Sequence, residues 1–219
     1  MIVMIITYYG AEFFKIQLGD IVIAFNPLSK DSKLAGKKVT KFKADIAMST
    51  LNSKDFNGID NLSYGDKDPI VIDGPGEYEV KDIFIKGLAT ESRIKSENGK
   101  DLNKTNTIYT LLLDGIRICF LGALGLKEID SETKEAIDGV DLLFLPIGGG
   151  DVLSPAEAYK IYVKLSPKIV IPMHFDDKNL KQFLKEGGLE KIKAVDKLTL
   201  KKKDFEDKVG EIMVLKSSI

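Results

Sequence analysis

The sequence predicts an α/β protein built in layers. In its first half, short runs rich in Ile, Val, Phe and Tyr follow one another across tight-turn signals, which is the pattern of β-hairpins. In its second half, apolar strand-like runs alternate with stretches of helical character, and that succession points to a layered α/β arrangement. The apolar runs of the second half end in a glycine-rich turn and a histidine-bearing turn, and strand ends of this kind are where α/β folds place their sites.

Taken in order, "MIVMIITYY" reads as a first strand, and "EFFKIQLGDIVIAFNP" as two more joined at Leu18-Gly19-Asp20 and stopped by Pro27. "ADIAMST" is a short apolar run ending at Ser49-Thr50. "PIVIDGPGEYEVKDIFIKGLAT" is expected to hold two strands around a turn at Gly74-Pro75-Gly76. The polar stretch from Glu91 to Asn106 is expected to be a mobile loop, and "TIYTLLLDGIRICFLG" a hairpin turning at Asp114-Gly115. "SETKEAIDG" reads as a short helix, and "VDLLFLPIGGG" as a buried strand running into glycines. "SPAEAYKIYVKLS" carries helix start signals: Ser154 to cap, Pro155 for the first turn, Glu157 to complete a capping box. "KIVIPMH" is the next buried strand, "DKNLKQFLKEGG" a helix stopped by Gly187-Gly188, and "VGEIMVLKS" a closing strand.

Bulk composition narrows the function classes. A chain of 219 residues with 44% hydrophobic and 30% charged residues can bury a substantial core. Basic and acidic residues balance at 32 against 33, which disfavours nucleic acid and acidic membranes as partners. Cys119 is the single cysteine, so no internal disulfide framework exists. No apolar run approaches the roughly 20 residues of a spanning helix, and a cytoplasmic location without a membrane partner is expected.

Few side chains suggest chemistry. His174 is the only histidine, and metal or nucleophilic sites need partners for one. The alternatives are a hydrogen-bonded histidine at a strand end, near Asp176 and Asp177, or a carboxylate-rich site for Mg²⁺ or Mn²⁺. Cys119 has apolar neighbours in "RICFLG" and reads as a buried structural thiol. "PIGGGDVLSP" either offers backbone N–H groups to an anion or is a sharp turn that needs positive φ. It lacks the spacing of a Walker A loop and of a dinucleotide fingerprint. Glu77 and Glu79 in "DGPGEYEV" share one side of a strand, where exposed acids are ordinary, and "KLTLKKKDFEDK" reads as a solvated basic face.

The segments "ITYYG", "VIAFNP", "ADIAMSTLNSKDF", "DGPGEYEVKDIFIKGLAT", "TNTIYTLLLDGIRICFLGALG", "VDLLFLPIGGGDVLSPAEA" and "SPKIVIPMHF", in that order, resemble the metallo-β-lactamase fold hydrolases. Within them the chain is most similar to the ascorbate-6-phosphate lactonase-like branch of metal-dependent hydrolases. The resemblance covers nearly the whole chain and implies one domain over residues 1–219. It also implies a four-layer αββα sandwich of two mixed β-sheets flanked by helices, with a metal site at one edge.

That family carries a Thr-His-x-His-x-Asp-His run where this chain has "TLNSKDF". Thr50 and Asp55 match, and the histidines fall on Leu51, Ser53 and Phe56. The next ligand histidine falls on Ser92, with Arg93 at the following acid, and the bridging aspartate falls on Ala123. The last ligand histidine matches His174, while Gly-His and Asp-Pro become Gly10-Ala11 and Asn26-Pro27. The expectation is therefore a family scaffold without the di-metal centre: no metal, no other cofactor and no catalytic residues. Such a chain would be a pseudoenzyme serving as a binding or assembly module. Asp55, Glu77, Tyr78, Arg93 and His174 are the candidates to line the former cleft, with a small molecule as ligand and a homo-oligomer as the assembly. The rival expectation is a hydrolase of small esters, lactones or phosphoesters with an altered mononuclear site, in which Asp55 and His174 join Glu77 or Glu91.

Overall fold

The computed structural model describes residues 3–34, 40–63, 67–94 and 104–218. The chain divides into two compact units, each built on one mixed sheet. The first comprises Met1–Gly74, Ala194–Lys201 and Leu215–Ile219, and the second Pro75–Lys193 and Lys202–Val214.

In the first unit, β1 (Met4–Tyr8), β2 (Phe14–Leu18) and β3 (Ile21–Phe25) form an antiparallel meander. The β2–β3 hairpin turns on Gly19-Asp20, with Leu18 opposite Ile21 and Gly19 at φ +57°, as its sequence predicts. β4 (Ile46–Met48) and β5 (Ile70–Ile72) add in parallel beyond β3, and β12 (Leu198–Leu200) pairs antiparallel with the free side of β1. One face of the sheet buries Ile6, Ile16, Ile23 and Met48. The opposite face carries Ala24 and Ala47 beneath Phe13, Leu28, Ala44 and Leu62.

In the second unit, β6 (Gly76–Val80), β7 (Ile83–Ser92), β8 (Lys104–Leu113) and β9 (Ile116–Phe120) run antiparallel. β10 (Leu142–Pro146), β11 (Ile169–Met173) and β13 (Glu211–Ile212) continue in parallel. β10 and β11 are buried at every residue, the signature of parallel strands covered on both faces. α1 (Ser131–Ala136), α2 (Pro155–Leu165) and α3 (Asp177–Glu186) belong to this unit. α2 starts as its sequence predicts. Ser154 Oγ accepts from Glu157 N, and Glu157 returns to Ser154 N at 2.9 Å.

The structure corrects several sequence expectations. "PIVIDGPGEYEVKDIFIKGLAT" forms three strands, not two. β5 ends at Ile72 in one sheet, and β6 and β7 form a hairpin in the other. Their turn is Lys81-Asp82, both at positive φ (52° and 62°), a turn made without the glycine that usually signals it. Glu91–Ser92 and Lys104–Asn106 are strand ends, not loop; of that expected mobile loop, residues 95–103 lie outside the described residues. Leu198–Leu200, expected within a basic surface stretch, is strand β12. The expected closing strand is paired over Glu211–Ile212, after which Leu215 bridges to Val195 in the first unit.

Removing the α2 cap tests this local account: Ser154→Ala should cost about 1 kcal/mol in chemical denaturation.

Candidate functional site

The family positions of interest sit at strand ends, so each unit contributes its own set. In the first unit the decisive residue is Asn26, which follows β3 at φ +46° and is fully buried. A left-handed backbone is a conformation asparagine tolerates better than most residues. Asn26 Nδ2 donates to Glu12 Oε2 at 3.0 Å and to Thr50 Oγ1 at 2.9 Å, and Asn26 Oδ1 accepts from Thr50 N at 2.8 Å. The Asn26 backbone N–H also donates to Met48 O at 2.8 Å, joining the ends of β3 and β4. Glu12 is fully buried, and the network supplies the hydrogen bonding that a buried polar group requires.

Residues 50–58 pack onto residues 27–32. Ser29 N donates to Lys54 O, Gly58 N donates to Pro27 O, and Ser32 Oγ donates to Asp55. A Cβ on Gly58 would lie 2.3 Å from the Leu28 carbonyl, so only glycine allows this approach. Asp55 therefore fastens one loop to another. Leu51 and Phe56, at two of the family's histidine positions, are 2% and 1% exposed.

In the second unit, Arg93 follows the end of β7. Its guanidinium forks onto Glu157, with Nη1 and Nη2 at 3.1 and 3.2 Å from the two carboxylate oxygens. The Arg93 hydrogen bond first, and then those from Ser154, hold the Glu157 carboxyl down to about 2, against a burial effect of the opposite sign. The same carboxylate thus closes the α2 capping box and anchors the end of β7. Gly125 lies against Arg93, since a Cβ there would meet the Arg93 Cγ at 2.7 Å. Ala123, at the family's bridging aspartate, is fully buried.

His174 leaves β11 at φ +53° and is half-buried. Its carbonyl oxygen would lie 2.0 Å from a Cβ on Gly148, so the glycine-rich loop rests directly on the histidine turn. Asn179 Nδ2 donates to Gly148 O at 2.7 Å, and Asp176 caps α3 by accepting from Asn179 N. Gly149 and Gly150 take positive φ, which supports the turn reading of this loop. Nothing at the loop favours the anion reading, because the α2 N-terminus already carries the Glu157 carboxylate.

Glu77 and Tyr78 line a cavity of about 490 Å³ with Phe84, Lys86, Leu112 and Arg117, and neither Arg93 nor His174 lines it. Glu77 is exposed and paired with Lys86 at 3.5 Å, and Tyr78 donates to Pro75 O at 3.3 Å. Cys119 is buried, and burial pushes its thiol well above the ordinary range, as befits a structural residue. Sequence reasoning missed Glu12 and Asn26 as a linked pair, and Glu157 as the partner of Arg93. The available signal was Asn26 itself, an amide where the family has a carboxylate.

The donor set does not fit the family's two-metal group. Among the described residues no three His, Cys, Asp or Glu side chains come together where they could hold a metal ion. Leu51, Phe56 and Ala123, which the sequence resemblance matches to family ligands, are buried.

The two mixed sheets with their helices are an α/β fold of the metallo-β-lactamase type, and residues 5–174 match the family model for the Beta-lactamase superfamily domain. The chain belongs to that superfamily. A UPF0173 metal-dependent hydrolase of Bacillus velezensis is 25% identical over 78% of this chain and 85% of its own length. A Thermotoga maritima structure assigned to the metallo-beta-lactamase superfamily matches 97% of both chains at 26% identity, with a TM-score of 0.71. Igni18, a metallo hydrolase of Ignicoccus hospitalis, shares the fold at 20% identity and a TM-score of 0.61, covering 91% of this chain and 99% of its own.

Two measurements test the site's packing. Phe56→Ala should cost about 3–5 kcal/mol in denaturant unfolding, as a buried aromatic truncation does. Glu157 has its folded pKa below the ordinary 4.5, so its contribution is present above that pH and is lost as pH falls toward about 2. The stability of Glu157→Gln should therefore fall less steeply than that of the parent chain across this window.

Proposed function

We propose that this chain is a non-hydrolytic member of its superfamily, a pseudoenzyme acting through binding. The observation that carries the reading is the filling of former ligand positions by buried apolar or small side chains, Leu51, Phe56 and Ala123. Family chemistry relies on a metal-bound water whose pKa drops to about 7. A cation needs a full set of donors to offset its desolvation, which is several kcal/mol per ion. His174 and Asp55 do not supply that set, and Asp55 is engaged by Ser32.

The binding half of the reading is supported by the cavity beside Glu77 and Tyr78. Its size of about 490 Å³ falls in the range of small-molecule pockets, and its lining mixes apolar Phe84 and Leu112 with both basic (Lys86, Arg117) and acidic (Glu77, Glu135, Asp138) side chains. A small molecule with an apolar body and a polar end would match those side chains.

Elemental analysis of purified untagged protein, paired with a panel of ester, lactone and phosphoester substrates, tests the reading. The expected result is zinc and manganese well below stoichiometry and no turnover that a chelator removes. Near-stoichiometric metal with chelator-sensitive hydrolysis would establish the altered mononuclear hydrolase instead.

A further inference from the structure

The face of the six-stranded sheet that carries Ala24 and Ala47 also carries a row of polar residues that no role above explains. Thr7 on β1 pairs with Lys15 on β2. On its other side β12 reaches Leu198 opposite Ile6, so Lys197, one residue earlier, falls beside Thr7. Directly opposed residues of neighbouring strands point to the same face. The row is therefore Lys197, Thr7, Lys15, continuing into Ala24 and Ala47.

Three observations make this row unusual. Thr7 is 3% exposed and its Oγ1 has no hydrogen-bond partner. Buried hydroxyls are nearly always satisfied, so an unpartnered one marks a place where a ligand or water is owed. The two lysines have no ion pair among the described residues, and the nearest acid in sequence, Asp196, is engaged by Lys216 at 3.2 Å. Finally, Lys15 is held in place: its Nζ lies 5.2 Å from the centre of the Phe42 ring, which stacks on Phe13 and Tyr9 at 5.8 and 5.6 Å.

We propose that Lys15 and Lys197, with the Thr7 hydroxyl between them, bind a phosphoryl group on this face of the sheet. Two ammonium groups match a doubly charged oxyanion, and the hydroxyl adds a directional donor that a bare pair of lysines lacks. Burial and the Lys197 charge both lower the Lys15 pKa, a penalty that an anion between the lysines would relieve. The Phe42 ring beside Lys15, with Tyr9 stacked on it, offers a wall for an organic substituent on that phosphoryl group. The inference is independent of whether the chain hydrolyses anything.

The test is a titration of the full chain with inorganic phosphate and with phenyl phosphate, at constant ionic strength against chloride, followed by ¹H–¹⁵N NMR. Saturable shifts centred on Thr7, Lys15 and Lys197 are expected. Tighter binding of phenyl phosphate assigns the site to organic phosphate esters, and equal binding assigns it to free phosphate. Lys197→Gln, at an exposed position, should weaken binding about tenfold. Thr7→Val keeps the side-chain shape and removes an unpartnered hydroxyl, so it should weaken binding without lowering the melting temperature. Absence of saturable shifts, or unchanged affinity in both variants, would overturn the proposal.

Discussion

The buried amide of Asn26 is the constraint on which the first unit's site depends. It joins the end of β3 to the end of β4, and it joins both to Glu12. A carboxylate at this position would place two acids in contact in a fully buried space, and like charges so placed disfavour ionisation. With asparagine, one side chain serves as donor to Glu12 and Thr50 and as acceptor from Thr50. The ends of β3 and β4 are thereby tied together by buried side-chain hydrogen bonds among Glu12, Asn26 and Thr50.

Buried packing at positions that the sequence resemblance matches to family ligands recurs in each unit. Leu51 and Phe56 are core residues of the first unit, and Ala123 is one of the second. Arg93, at an acidic position of the family, is forked onto the carboxylate that caps α2. An arginine–carboxylate fork of this kind fixes geometry as well as adding energy. The proposed loss of hydrolysis therefore coincides with gains in local order, each traceable to particular side chains.

Much of this was legible in the sequence, for physical reasons that differ by element. The α2 start was readable because Ser154, Pro155 and Glu157 act within one turn. The β2–β3 hairpin was readable because Gly19 reports its own φ. The Lys81-Asp82 turn was not, because both residues adopt the left-handed region without a glycine to announce it. β12 was obscured by the lysines that flank it, although Leu198 and Leu200 alternate in the period of a strand. The expected ligand replacements come from matching the chain to the family run residue by residue, at Leu51, Ser53, Phe56 and Ala123. The Glu12–Asn26–Thr50 network could not be read that way, since it depends on contacts between segments distant in sequence.

A thermal melt of the metal-stripped protein, repeated with saturating zinc or manganese, tests the central claim most directly. Any ion that binds the folded chain alone must raise its melting temperature by linkage. The account predicts superimposable melts with and without either metal. A clear rise that disappears in His174→Ala would contradict it.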